Sequence, residues 1–328
     1  MILLLTFVLG SAKAQDPIFS QFYNSPLHLN PAFTGNTFGP KIALNYRNQW
    51  PSLPWAYVTY AASYDQFFKK YNSGFGVSIL SDDAGDGIFK TNKIAIDYAY
   101  AIKLTKDHYV KIGFEPAISQ SRLNWDKLVF SDNIDGTTGE ITPGGSNLPG
   151  TEIRPETTNK IYFDVGVGGV YYNPIWYLGT SVKHLTAPDI QFIETGKSES
   201  IRGVPLRFSL HAGAQFPVPS LNIRRNKAYF APQVMYTHQG PFDQIIIGGN
   251  LNIGVISFGT WFRHTIANAA ALVGTIGYEQ DFFRIEYSFD FSVSGLGNQG
   301  GAHEIGIVMT FEDQNKESKY NDCFEIFR

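Results

Sequence analysis

Cysteine is almost missing. Cys323 is the single one in 328 residues, so there is no disulfide framework and no Cys/His set with zinc spacing. Charge is scarce too: Asp, Glu, Lys and Arg make up 17% of the chain and the formal net charge is −3, which leaves no basic face for nucleic acid. Past the N-terminal leader no run of about 18 apolar residues occurs, which excludes a spanning helix. Nor does any stretch hold the apolar period of about 3.6 residues that marks an amphipathic helix. The G-x-S-x-G, H-E-x-x-H and P-loop signatures are absent from the sequence, and the histidines (His28, His108, His184, His211, His238, His264, His303) are scattered. Ser209 and His211 share a strand face without a third triad member, so no enzyme and no cofactor is expected.

Aromatic residues are plentiful at 15%, from 26 Phe, 18 Tyr and 5 Trp, and Gly numbers 32. Aromatic-rich, Gly-rich and charge-poor is an all-β composition of the outer-membrane type. Residues 1–14 read as a secretory signal. An apolar run from Ile2 to Gly10 precedes the small-x-small site Ala12-Lys13-Ala14, although the usual positive start is missing. Gln15 is then the expected first residue of the exported chain.

From Lys41 onward, segments of about ten residues alternate apolar and polar, with turn residues between them. The C-terminal pair shows it best. Phe283, Ile285, Tyr287, Phe289, Phe291 and Val293 take one parity, and Arg284, Glu286, Ser288 and Asp290 take the other. After a Gly-rich loop, Ile305, Ile307, Met309 and Phe311 repeat the pattern. Such a pair suits a soluble sheet or a membrane barrel equally well. Repetition and loop lengths separate the two. About fourteen segments are expected, at 41–49, 55–66, 73–81, 91–104, 109–120, 160–172, 175–185, 205–216, 227–238, 242–253, 254–264, 270–280, 282–294 and 301–312. Long and short connections mostly alternate, as a barrel with one short-turned periplasmic side requires, with 217–226 as a long exception.

The reading is therefore an all-β, antiparallel transmembrane barrel of about fourteen strands in a Gram-negative outer membrane, with both chain ends periplasmic. Its parts are a signal at 1–14, a periplasmic or plug-like segment at 15–40, a barrel at 41–312 and a periplasmic tail at 313–328. Ile94, Ile96, Tyr98, Tyr100, Ile102, Val110, Ile112, Phe114, Ile118, Leu206, Phe208, Leu210 and Phe216 should face lipid. Asp97, Lys111, Glu115, Asp164, Arg207, His211, Arg284, Glu286 and Asp290, together with Lys103, should form a mixed-sign lumen network. Small lumen residues such as Ala95, Gly113, Gly166, Gly168 and Gly213 leave room for water or a plug.

Residues 15–40 break the alternation. Pro17, Pro26 and Pro31 forbid a ladder, and Phe19, Phe22, Tyr23 and Phe33 need burial, against a barrel mouth or a partner. In Ser81-Asp82-Asp83-Ala84-Gly85-Asp86-Gly87, the three carboxylates are candidate Ca²⁺ ligands, although the full calcium-loop pattern is absent. Arg47, Trp50 and Trp55 suggest a cation–π cluster or part of an aromatic girdle.

Four stretches carry a resemblance: residues 15–35 (QDPIFSQFYNSPLHLNPAFTG), Tyr46 to Pro51 (YRNQWP), Ser81 to Phe89, and Ser121 to Asp132 (SRLNWDKLVFSD). With them the chain resembles the PorP/SprF family. Members of that family are outer-membrane proteins of type IX secretion and gliding motility in the Bacteroidetes. The resemblance implies a non-enzymatic barrel that works with outer-membrane and periplasmic secretion components, a peptidoglycan-binding lipoprotein or a large surface adhesin, in contact with the lipid bilayer. It supplies no catalytic residues. It marks Gln21, Phe22, Tyr23, Asn24, Asn30, Pro31, Phe33, Gly35, Arg47 and Trp50 as contact or plug residues. The alternative function is an outer-membrane channel for small or hydrophobic solutes.

Overall fold

A computed structural model describes residues 16–53, 56–130, 154–192, 203–221, 228–266, 269–280, 282–293, 300–311 and 323–327. The expected signal, Trp55 and most of the long connection after Arg122 lie outside these residues.

Alternation folds as expected. The strands are β1 (Lys41–Gln49), β2 (Tyr57–Phe68), β3 (Ser73–Ala84), β4 (Phe89–Lys103), β5 (Tyr109–Leu123), β6 (Asn159–Tyr172) and β7 (Trp176–Lys183). They continue as β8 (Arg207–Ala214), β9 (Phe216–Pro217), β10 (Tyr229–Gln239), β11 (Phe242–Ile253), β12 (Ile256–Thr265), β13 (Ala269–Gln280), β14 (Phe283–Ser292) and β15 (Ala302–Thr310). β9 prolongs β8 against the same neighbour β10, so the described strands make a fourteen-stranded barrel. With β8 and β9 counted as one, every strand pairs antiparallel with the next, and β15 closes on β1 from Lys41↔Thr310 to Gln49↔Ala302. Closure removes the edge strands whose unpaired N–H and C=O groups lipid cannot satisfy.

The two parities separate as the sequence predicts. Ile96 is 59% exposed on the outer wall, while its neighbour Asp97 is 0% exposed on the inner one. On β14, Ile285, Tyr287 and Phe291 point outward and Arg284, Glu286 and Asp290 are buried inside. Lys103 is a correction. It closes β4 at the barrel rim, where the strand leaves the inner wall, and it is exposed.

One end of the barrel carries the connections 50–56, 85–88, 124–158, 184–206 and 293–301 and is called here the loop end. The other, the turn end, has tight connections such as 254–255, where Gly254 adopts a φ of 69° that a two-residue hairpin favours and a side chain resists. The 218–228 connection remains the long exception there.

The core lies inside the barrel. Pro26–Leu29 forms one helical turn, α1, and Pro31–Phe33 forms a 3₁₀ turn with Pro at its first position. Asn30 between them caps the second turn, its side chain accepting the Ala32 N–H at 2.9 Å. Phe22, Tyr23, Leu29 and Phe33 join Trp261, Val273, Met235 and Tyr177 from the wall in one apolar cluster. The tail differs from expectation. Cys323, Phe324, Ile326 and Phe327 are 1–3% exposed and pack into the same cluster, because three large apolar side chains in five residues gain more from the core than from water.

The outward parity has a direct test. Ile96→Arg, at the centre of β4, should cost about 2–4 kcal/mol in folding into lipid vesicles, measured by denaturant titration. An unchanged midpoint would place Ile96 away from lipid.

Candidate functional site: the filled lumen

The segment from Asp16 to Thr37 runs down the inside of the barrel, and wall side chains take up its polar groups as it goes. At the loop end the Asp16 N–H donates to Gln239 Oε1 at 3.0 Å. Its carboxylate meets His184 Nε2 at 2.8 Å and Arg207 Nη1 at 3.3 Å. The other His184 nitrogen meets Asp164 at 2.6 Å.

Deeper, Glu304 accepts the backbone N–H groups of both Ser20 and Gln21, each at 2.9 Å. Arg47 bridges Glu304 and Asp290, each at 2.9 Å, and Arg263 reaches Asp290 at 2.7 Å. Buried charges this close hold because each has several partners; removing one leaves the rest uncompensated. The Tyr23 hydroxyl donates to Glu286, and Arg284 donates to Asn24 Oδ1 at 2.8 Å. Tyr23 also stacks on Trp261 with ring centres 5.4 Å apart.

At the turn end the backbones approach closely. The Asn30 amide donates to the carbonyls of Gly169 and Thr180 at 3.2 and 3.0 Å and lies 3.0 Å from His211 Nε2. A Cβ on Gly113 would sit 2.2 Å from the Ala32 nitrogen, and one on Gly168 would sit 1.9 Å from Asn30 Oδ1. The small lumen residues thus leave room for this segment. Lys111 donates to the carbonyls of Thr34 and Gly35 at 2.8 and 3.2 Å, and the Gly35 N–H donates to Asp65 at 2.8 Å. Asp16 lies toward the loop end and Phe327 toward the turn end.

Of the motif residues, Gln21, Phe22, Tyr23, Asn24, Asn30, Pro31, Phe33, Gly35 and Arg47 come together inside. Trp50 does not. It turns at a φ of 59° on the loop-end rim, its ring 5.6 Å from Tyr57, so it forms no cation–π cluster with the inward-facing Arg47. The nine expected lumen residues are all buried but split into separate groups. Lys111, His211, Arg207, Arg284, Glu286 and Asp290 touch the inner segment. Glu115 instead joins Lys93 and Lys183, Asp164 orients His184, and Asp97 accepts from Ser78 at 2.7 Å.

The sequence reading passed over Glu304, Arg263, Asp65, Lys183 and His184 as ligands of the segment. All but His184 have inward parity, which was the available signal; their partners are remote in sequence. Asp82, Asp83 and Asp86 do not converge on a cation. β3 runs through Asp82 and Asp83 and sends them to opposite faces, so Asp82 accepts from Thr59, Asp83 pairs with Lys90 and Asp86 pairs with Lys127. Ser209 and His211 likewise have separate partners, Thr237 and Asn30.

Above the segment a cavity of about 590 Å³ opens toward the loop end. Trp50, Tyr57, Phe89 and Tyr162 line it together with Lys93, Arg207 and Arg263.

Two changes test how the segment is held. Burial opposes the charged forms of both Asp16 and His184, but their mutual attraction prevails. It holds the Asp16 carboxyl well below the usual carboxylate range, with help from Arg207, and with Asp164 it raises the His184 imidazole to about 9. A raised imidazole stabilises fully below its unfolded value of 6.5, and that contribution fades as pH climbs through 9. A lowered carboxyl stabilises above its unfolded value of 3.8 and loses this as pH falls below it. Thermal unfolding in detergent should therefore show a midpoint that drops between pH 6.5 and 9, and Asp16→Asn should flatten that slope. Glu304→Ala takes one of Arg47's two carboxylate partners and leaves the Ser20 and Gln21 amides without their acceptor in the interior, and should cost about 3–5 kcal/mol by denaturant titration.

A family model described as type IX secretion system membrane protein PorP/SprF matches residues 11–309. No curated protein matches the chain. Among solved structures, the toluene transporters TbuX of Ralstonia pickettii and TodX of P. putida each align with a TM-score of 0.53 at 10% identity, over 88% of this chain and 94% of theirs. Omp33 of Acinetobacter baumannii aligns at 0.44 and 8% identity, over 85% of this chain and 100% of its own. At such identity the likeness to the two transporters speaks for the barrel fold alone. The family match spans nearly all of the barrel and the inner segment, and the chain belongs to the PorP/SprF family of type IX secretion system membrane proteins.

Proposed function

We propose that this outer-membrane barrel supports type IX protein secretion, or anchors a secreted surface adhesin, through protein–protein contacts and without catalysis. The observation that carries the reading is the filled lumen. Many charged groups of the inner wall are committed to residues 16–37, which leaves the two rims and the loop-end cavity as surfaces for other molecules. In this reading the loop end faces outward, toward an adhesin. The turn end faces the periplasm, toward secretion components or a peptidoglycan-binding lipoprotein. Family membership supplies the secretion context.

A tagged copy purified from gently solubilised outer membranes should bring down secretion components or a large surface protein. A deletion strain should lose that protein from its surface. An isolated barrel together with unchanged secretion would overturn the proposal.

A second reading, a channel for small or hydrophobic solutes, draws on the loop-end cavity and on the fold shared with two toluene transporters. The filled turn-end half of the lumen speaks against it. Proteoliposomes carrying the protein should take up toluene no faster than empty liposomes; clearly faster uptake would favour the channel.

A further inference from the structure

Of the Lys and Arg side chains on the described strands, only Lys90 and Arg122 take the outward parity. Lys90 shares it with Ile94 and Ile96 on β4, and Arg122 shares it with Phe114 and Ile118 on β5. The others, from Lys41 on β1 to Arg284 on β14, take the inner parity. The two exceptions are direct partners, because β4 and β5 pair in the register Lys90↔Arg122 at the loop end. Both are exposed. Like charges directly opposite on neighbouring strands repel, so the sheet itself gains nothing from this placement. Lys90 meets Asp83 at 2.8 Å with 49% of its side chain still exposed, and Arg122 enters no ion pair among the described residues. Lys127, paired with Asp86, brings a further ammonium near. A Cβ on Gly87 would stand 3.8 Å from Lys90 Nζ and 3.6 Å from Lys127 Nζ.

The wall below this pair is layered. Two residues further along each strand, Asn92 stands opposite Gln120, and after two more Ile94 stands opposite Ile118. That last row runs on unbroken through Ile79 on β3 and Phe163 on β6, and its four side chains are 47–61% exposed. Four residues of strand put the cations about 13 Å from the apolar row, with the amides between. Charged, polar and apolar layers in that order match a lipid from headgroup to acyl chain. A guanidinium also suits phosphate oxygens, to which it donates two parallel N–H groups, and the ammonium adds a point charge.

We propose that β3 to β6 carry a lipid-binding face whose phosphate seat is Lys90 and Arg122. Its ligand is a phosphate-bearing lipid of the leaflet at the loop end, with acyl chains along Ile94, Ile118 and Phe163. The phosphate neutralises the facing cations and fixes the height of the barrel in that leaflet. The inference needs only a barrel in a bilayer, so it stands apart from the secretion role and from which end faces outward.

The probe is dioleoyl phosphatidic acid, added to the purified, delipidated full chain folded in non-ionic detergent, with bound lipid counted by native mass spectrometry. Dioleoylglycerol, the same lipid without its phosphate, and inorganic phosphate are the comparisons. The wild type should bind phosphatidic acid at least about tenfold more tightly than dioleoylglycerol. Lys90→Gln, Arg122→Gln should lose that preference. Lys103→Gln, Lys106→Gln, which removes the same charge at the turn end, should keep it. Heat-modified gel migration reports folding in each case. Should the first pair not fold, Arg122→Gln alone should weaken phosphatidic acid binding by about threefold or more. Equal binding of the two lipids overturns the proposal, as does an equal loss in both double variants. Inorganic phosphate binding as tightly as phosphatidic acid would make the seat a free-anion site and overturn its assignment to lipid.

Discussion

The structure turns on what happens to charge on the inside of a closed barrel. Arg47, Asp290 and Glu304 stand on the inner wall almost wholly shielded from water, where an unpartnered ion is costly. They satisfy one another only in part. Glu304 also accepts the amides of Ser20 and Gln21, and Asp290 Oδ2 accepts the Ser20 hydroxyl. The wall thus depends on the segment as much as the segment depends on the wall. Lys111 repeats the arrangement at the turn end with the carbonyls of Thr34 and Gly35.

This mutual dependence explains the make-up of residues 16–37. Their prolines prevent strand pairing and so keep backbone N–H and C=O groups available to the wall. Their aromatic rings meet Trp261 and Tyr177, which carry large side chains inward from the wall. The lumen ends up in two parts: an apolar core toward the turn end and a roomy, charged cavity toward the loop end. The former fills the barrel's interior with the chain itself, and the latter opens toward the loop-end rim.

Much of this was legible in the sequence, for identifiable reasons. Period-two alternation is local, so all the expected strands form and Ile96 and Asp97 take their expected faces. The burial demand of Phe19, Phe22, Tyr23 and Phe33 was equally plain. Pairings across the barrel were not. Arg47 meets Glu304 only because β15 closes on β1, a register that no local pattern encodes. Lys103 misled because parity says nothing of where a strand leaves the wall. Asp82 and Asp83 read as loop ligands because their strand runs further than its turn residues suggested. The tail gave only a short Cys-Phe-Glu-Ile-Phe signal, and its cleft is assembled from residues more than a hundred positions away.

The central claim is that the barrel's own chain fills its lumen, and electrical conductance addresses it most directly. The purified, folded wild-type protein in a planar bilayer should show no steady open current, because residues 16–37 and 323–327 occupy the inside. A stable ohmic conductance from the folded, unproteolysed protein, of the size expected for an unobstructed fourteen-stranded pore, would contradict the account.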